Sequence, residues 1–472
     1  EDMARATLGV IVGNRDFVPD ALVTEARADV LALFEEMDIE PVILDAEATK
    51  LGGVETWREA QVCAELFDER RHDIEGVLVV LPNFGDEKGV ADTMRLSGLD
   101  VPILLQAYPD DVQSFTLERR RDAFCGKISV SSDLRQYGFK FSLTERHTIP
   151  VKSDEFRADL DKFIRVCKCA NGMRTARLGA IGTRPDAFKT VRYSEKLLEA
   201  SGIAVSVIDF SEVFGNADKV ADGDAKVVAK LDEIRAHMAH PTVPMEKLTK
   251  MARLGVVIDD WMAENDLNAT AIQCWHSLQE NYGVNVCTLM SIMGTKMMPS
   301  ACETDITGLA SMYALQLAGE QPAALVDLNN NYGEDPDKCV LFHCGNWPLI
   351  FYPEGEAEMQ IADVLGTTLG DENVYGAING RAPAAPLTIA RISTDDVNGK
   401  CKAYVAEGRF LDDPLDTFGS KAVVEIPNFQ PLLKLICNVG FEHHCAMSPA
   451  HTADAVAEAL ENYLDWEVFR HV

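Results

Sequence analysis

Positive charge is scarce in this 472-residue chain: 44 lysines and arginines stand against 75 aspartates and glutamates, a formal charge of -31. So acidic a surface repels nucleic acid and anionic membranes, and neither is expected as a partner. Long apolar runs are missing too, and none approaches the roughly 20 residues of a membrane-spanning helix. The opening EDMARATLGV has no basic segment leading into an oily one, which argues against a secretory signal and for a cytoplasmic location. No C-x-x-C pair occurs among the twelve cysteines; Cys167 and Cys169 come nearest and are too close for the usual zinc pair. Cysteines scattered beside apolar residues fit a reduced interior, most of them as small core fillers. G-x-G-x-x-G and Walker A loops are absent, which removes the nucleotide fingerprints. The stretch IGTRPDAF (181–188) has one glycine after an apolar run, and reads as a plain turn between strand and helix.

What is present is the composition of a globular protein, 47% hydrophobic and 25% charged, with length enough for two or three domains. In the first 110 residues short apolar runs alternate with helical periodicity. TLGVIVG, PVILD, EGVLVVLP and VPILLQAY are expected strands, with helices between them and Pro19 near the start of the first, where a missing N–H costs little. This order predicts a parallel, flavodoxin-like sheet over residues 1–150, with ligands outside the carboxyl ends of strands, near Asn14, Arg15, Asn83 and Gln106. The alternation restarts near residue 151. EFRADLDKFIRVCKCANGM reads as a helix, ARLGAIG as a strand, KTVRYSEKLLEASG as a helix, IAVSVID as a strand and 244–281 as a long helical region. A second doubly wound α/β domain is therefore expected over 151–350. Beyond it, PLTIARIS, GKCKAYVAEG and KAVVEIP are short strands with turn signals. They predict a mainly antiparallel β domain over 351–472, closed by the helix HTADAVAEALENYLD.

Three groups that could carry chemistry follow oily segments. Glu303 lies in PSACETDITG before an expected helix, Asp327 ends AALV, and His343 ends CVLF. Unpaired charge is costly in such places. A hard divalent cation offsets that cost, and two carboxylates with one imidazole suit Mn2+, Mg2+ or a similar ion. Taken singly, each has a plainer reading. Glu303 suits a helix N-terminus, Asp327 a turn before NNNYG, and His343 a satisfied core histidine. His443 and His444, in GFEHHCAM, suit a surface turn.

Together these residues form a pattern. CETDITGLASMYALQLAGEQPAALVDLNNNYGEDPDKCVLFHCGNWP, with its 24-residue step from Glu303 to Asp327 and the late His443–His444 pair, resembles the L-fucose/L-arabinose isomerase superfamily. The resemblance covers about residues 260–347 and 436–450, and the N-terminal region agrees in architecture. The arabinose branch carries Glu where this chain has Asp327, so the fucose branch is favoured. The resemblance implies a cytoplasmic ketol isomerase using Mn2+, or Mg2+ or Co2+. It places Glu303 and Asp327 as catalytic, metal-binding carboxylates and His444 as the third ligand. His343 matches an additional histidine of the arabinose branch, and Gln273 falls in a substrate-facing segment. His443, Asn346, Trp347, Arg15 and Asn83 complete the expected substrate contacts. Family members are commonly hexamers with sites between subunits, which implies a homo-oligomer with shared sites. The expected substrate is a fucose- or arabinose-like monosaccharide. The alternatives are a sulfonated hexose, held by a basic residue such as Arg15, Arg135 or Arg146, a non-catalytic sugar binder on the same fold, and a metal-dependent hydrolase or aldolase.

Overall fold

A computed structural model describes residues 4–471. The chain divides into two compact units, Glu1–Asn171 and Gly172–Val472. In the first unit β1 (Ala6–Val12), β2 (Ile39–Ile43), β3 (Gly76–Leu81), β4 (Ile103–Ala107) and β5 (Ser142–Leu143) alternate with α1 (Asp20–Glu36), α2 (Trp57–Glu69), α3 (Glu87–Ser97) and α4 (Ala123–Gln136). Helix α5 (Asp154–Arg174) follows. The five strands are parallel in the order β2-β1-β3-β4-β5, as the alternating pattern predicts. Strand β3 is buried at every position, as a sheet covered on both faces requires. Local signals set the helix starts. A reciprocal Thr56–Glu59 capping box opens α2, and Asp86 accepts from Gly89 N at the head of α3.

The second unit opens with another parallel sheet, β6 (Arg177–Ile181), β7 (Ala204–Ile208), β8 (Ala269–Ile272) and β9 (Ser300–Cys302), in the order β7-β6-β8-β9. Between its strands lie α6 (Glu195–Ala200), α7 (Phe210–Ala217), α8 (Ala225–His237), α9 (Met245–Glu264), α10 (Ser277–Asn281) and α11 (Cys287–Thr295). The expected helix over 189–202 is shorter than its sequence suggests, because Ser194 caps it and accepts from Leu197 N. The expected helical region 244–281 is interrupted by β8, whose four residues are all buried and show no alternation. So short an apolar run carries no period that separates strand from helix.

Helix α12 (Ile306–Gly319) leads into the third sheet. Its strands are β10 (Ala324–Asn331), β11 (Lys338–His343), β12 (Glu358–Ile361), β13 (Tyr375–Arg381), β14 (Ala385–Asp395), β15 (Lys400–Leu411), β16 (Ser420–Glu425), β17 (His444–Ser448) and β18 (Glu467–His471). Helices α13 (Asp363–Leu369), α14 (Phe429–Val439) and α15 (Ala453–Glu458) fill the connections. The order is β12-β13-β16-β11-β10-β17-β14-β15-β18, and β15 also pairs with β16. That extra pairing closes β16, β11, β10, β17, β14 and β15 into an antiparallel ring. Strands β10 and β11, grouped by sequence with the central α/β region, pair into this ring. The late helix is followed by β18, which runs parallel to β15. No helix among the described residues is long and apolar enough to cross a membrane.

Candidate active site

Two sheets of the second unit deliver the site. Glu303 directly follows β9, at the carboxyl end of the parallel sheet. Asp327 and His444 lie opposite each other in the antiparallel β10–β17 pair, and His343 ends β11 next door. Register alone therefore brings together two residues more than a hundred positions apart. The backbone at Glu303 and Thr304 is left-handed, with φ of 56° and 52°. Such geometry in a side chain other than glycine costs about 1–3 kcal/mol each and needs support from its surroundings.

That support is visible in the contacts. Glu303 is buried, and its Oε1 accepts from Trp275 Nε1 at 3.1 Å and Cys274 Sγ at 3.5 Å. Its Oε2 is buried with no hydrogen-bond partner. It lies 3.5 Å from His444 Nε2 and 3.6 Å from His343 Nε2. On its other side His444 Nε2 is 3.3 Å from Asp327 Oδ1, which is 3.4 Å from His443 Nε2. Glu303, His343 and His444 thus form one potential ligand set, and Asp327, His443 and His444 another, with His444 common to both. An unpaired buried carboxylate oxygen facing imidazole nitrogens fits a divalent cation with mixed oxygen and nitrogen ligands.

A second layer of residues, which the sequence reading did not single out, holds His444. Its Nδ1–H donates to Asp305 Oδ2 at 2.8 Å, which leaves Nε2 facing the two carboxylates. Asp305 is wholly buried and paired with Arg391 through contacts of 2.6 and 3.0 Å. Arg391, also wholly buried, reaches Glu442 and Thr307 as well. Burial pushes the Asp305 carboxyl up, but Arg391 and His444 outweigh it and hold it well below the usual range. For His444 burial disfavours charge, yet the hydrogen bonds to Asp305 and Asp327 raise its pKa to about 9. Asp327 stands below its ordinary value, its burial outweighed chiefly by His444. Burial and then the His444 charge lower His443. A charged residue inside the apolar strand PLTIARIS was the sequence signal for this layer, since a buried arginine demands a buried acid.

The other expected contacts divide. Gln273 sits at the carboxyl end of β8, where its Oε1 accepts from Thr183 N at 3.0 Å across the point where strand order reverses. Asn346 is buried against Cys302, with Nδ2 donating to the sulfur at 3.3 Å. Trp347 is not brought to the carboxylates. It is wholly buried in the hydrophobic core, stacked on Tyr352 and edge-on to Phe351. Arg15 and Asn83 belong to the first unit and have local partners there. Arg15 pairs with Glu87 and lies over the Phe84 ring, and Asn83 donates to Asn14. Arg135 lies in helix α4 over Phe141 rather than in a loop, and Arg146 is exposed.

The turn 182–191 does more than connect β6 to the next helix. It brings Phe188 edge-on to Trp275 and His443, with ring centroids 5.4 Å apart in each case, and 6.2 Å from His444. Arg184 lines two cavities, one of about 610 Å³ shared with Gln273, Trp275 and His276, and one of about 1000 Å³ that reaches Thr304 and Glu442. Lys189, Arg192 and Lys402 line the larger one. Neither cavity is lined by Glu303 or Asp327 themselves; Thr304 and Trp275 are the links.

Two family models match this chain. Residues 9–174 match the fucose/sulfoquinovose isomerase N-terminal domain, and residues 341–471 match the L-fucose isomerase C-terminal domain. The chain belongs to the fucose isomerase-like superfamily. Its N-terminal region shares the family's sequence pattern as well as its architecture, while Glu303 and Asp327 lie between the two matched stretches. The superfamily comprises aldose–ketose isomerases, which are intramolecular oxidoreductases, and is typically metal-dependent. A sulfoquinovose isomerase of Clostridium sp. (strain MSTE9) is 23% identical over 316 residues, 65% of this chain and 66% of that one. A sulfoquinovose isomerase of Priestia megaterium (strain ATCC 12872 / QMB1551) is 24% identical over 335 residues, 70% of this chain and 71% of its own length. Among solved structures, unliganded arylmalonate decarboxylase covers 66% of this chain and 93% of its own at 12% identity, with a TM-score of 0.15, too low to bear on fold or function.

Proposed function

We propose that this chain is a divalent-metal-dependent aldose–ketose isomerase acting on a sulfonated hexose, with Mn2+ as its ion and Mg2+ or Co2+ as substitutes. The observation that carries it is Glu303 Oε2, buried without a partner and facing His444, which itself faces Asp327. Glu303, Asp327 and His444 would hold the ion, with His343 adjoining. When bound, the ion would supply Lewis acidity toward the sugar oxygens on C1 and C2, the two carbons between which the hydrogen is transferred. One of Glu303 and Asp327 removes the proton from carbon and the other serves the hydroxyl protons, a contribution of about 10²–10⁴-fold. Trp275 Nε1–H on Oε1 fixes the orientation of Glu303, and Asp305 fixes that of His444. Phe188 and His443 offer an apolar wall for a sugar ring.

The anionic substrate is favoured over fucose and arabinose on two grounds. The relatives are named for a sulfonated sugar, and the turn that carries Phe188 also carries Arg184. Arg184 donates from Nη1 to the Pro185 and Asp186 carbonyls, at 3.1 and 2.9 Å, and lines both cavities. A guanidinium suits the oxygens of a sulfonate, as it does those of a carboxylate or phosphate. By family resemblance the enzyme works in the cytoplasm as a homo-oligomer, a hexamer with shared sites, in which Arg15 and Asn83 serve a neighbouring subunit.

The test is ketose formation from sulfoquinovose, fucose and arabinose, with Mn2+ or with a chelator. We expect a preference of at least about tenfold in kcat/KM for the sulfonated sugar, loss of turnover on chelation, and a raised KM for that sugar alone in Arg184→Ala. Equal use of neutral sugars would reject the anionic substrate. No ketose from any of them would reject the isomerase.

A further inference from the structure

The strand ends that deliver Glu303 and His343 also deliver thiols. Cys302 ends β9 directly before Glu303, and Cys344 directly follows His343. Their Sγ atoms are 4.0 Å apart, and Cys344 Sγ is 3.3 Å from His343 Nδ1. All three potential ligand atoms lie within 4.8 Å of one another. A tetrahedral zinc site, with Zn–S of about 2.3 Å and Zn–N of about 2.0 Å, separates two sulfurs by about 3.8 Å and sulfur from nitrogen by about 3.5 Å. The ligand atoms are therefore near the spacings of such a site, with the Cys344 N–H on Nδ1 as the contact that must give way.

Two neighbours lie beside these ligands. Asn346 Nδ2–H donates to Cys302 Sγ at 3.3 Å, an outer contact of the kind that stabilises a ligating thiolate. Asn346 Oδ1 is buried without a hydrogen-bond partner. Cys287 Sγ is 3.8 Å from Cys344 Sγ but lies outside the three-ligand group. Cys344 is half-buried and lines a small cavity of about 20 Å³ with Phe342, Ile361 and Ala362.

We propose that Cys302 Sγ, Cys344 Sγ and His343 Nδ1 form a second cation site, for a thiophilic ion such as Zn2+, beside the Glu303–Asp327–His444 cluster. Thiolate ligands select zinc over manganese or magnesium, so the two sites differ in preference. Binding forms two Zn–S bonds and one Zn–N bond and releases the two thiol protons to solvent, with no oxidation or reduction. The ion displaces the Cys344 N–H that Nδ1 now accepts at 3.0 Å. His343 is then held by its Nδ1, with Nε2 facing Glu303, so the second site bears on the orientation of the first.

X-ray absorption on the full-length protein tests this directly, with Mn2+ added first and then one equivalent of Zn2+. We expect at least two sulfur scatterers at about 2.3 Å from zinc. A zinc shell of nitrogen and oxygen alone would overturn the proposal. Cys302→Ser and Cys344→Ser should each remove one sulfur scatterer and weaken zinc binding at least about tenfold, while Asp327→Asn should leave the sulfur shell intact. An unchanged sulfur shell in both cysteine variants would place the zinc on other thiols and also overturn it. The sulfur shell reports on this site alone, and manganese binding followed by electron paramagnetic resonance reports on the carboxylate cluster, so either reading can fail without the other.

Discussion

Glu303 holds its two carboxylate oxygens in unlike surroundings: Oε1 is fixed by Trp275 and Cys274, and Oε2 is buried with no donor and two imidazoles at 3.5–3.6 Å. Glu303→Gln keeps the shape and can keep the Trp275 contact, but removes one of the two proposed proton-transfer carboxylates and a charged ligand. Its kcat should fall by about 10²–10⁴-fold with little change in the unfolding midpoint; near-normal turnover would reject the role of Glu303. His444 carries a pH signature. Its pKa in the metal-free fold is raised to about 9 from an ordinary 6.5, with hydrogen bonds to Asp305 and Asp327 outweighing burial. A raised folded-state pKa adds stability that is complete below 6.5 and lost as pH rises through 9. The denaturation midpoint of the metal-stripped protein should therefore decline across that window. Mn2+ competes with the proton for Nε2, so its affinity should rise across the same window. Manganese titrations at several pH values check this, and a flat profile would contradict it. At this scale the convergence of Glu303, Asp327 and His444 was expected from a resemblance carried by their spacing, and the three do lie together. Phe188 and Trp275 were not legible, since an aromatic in a turn carries no sequence mark of what it packs against. Trp347 was misleading because its motif neighbours, His343 and Asn346, do lie beside the site or the adjoining thiols.

Helix α12 shows how an element and a site share one residue. Asp305 is its N-cap, accepting from Gly308 N at 2.9 Å, and the same carboxylate takes Arg391 and His444. Asn is as good an N-cap as Asp, and losing a cap costs about 1 kcal/mol. Removing one member of a buried ion pair costs about 3–5 kcal/mol. Asp305→Asn keeps the cap and loses the charge, while Glu442 still faces Arg391. We expect a loss of about 3 kcal/mol in denaturant unfolding; a loss under about 1 kcal/mol would mean that capping is its main role. Most elements were legible, because strands such as GVLVVL are apolar throughout and helices such as 57–69 keep a clear period. Strand β8 was not, since four buried residues after a long helix continue its apolar character. The assignment of β10 and β11 to the barrel was likewise illegible, since pairing partners such as Asp327 and His444 are fixed by tertiary register, not by local pattern.

At the scale of the molecule, a parallel sheet and a closed antiparallel ring within the second unit meet at one cluster of side chains. The parallel sheet contributes Glu303 from a strand end, where ligands of such sheets bind. The ring contributes Asp327 and His444 from neighbouring strands; His444 bonds Asp305 directly, and Arg391 on β14 is the buried cation paired with Asp305. The excess of 75 acids over 44 bases puts no obstacle before a divalent cation, while the proposed sulfonated sugar would meet the few cations of the 182–192 turn. The central claim is that Glu303, Asp327 and His444 share one divalent ion. Anomalous diffraction at the manganese edge, from crystals of the full chain grown with Mn2+, tests it most directly. We expect a peak ligated by Glu303 Oε2, Asp327 Oδ1 and His444 Nε2 together. Manganese bound elsewhere, or touching none of the three, would contradict it.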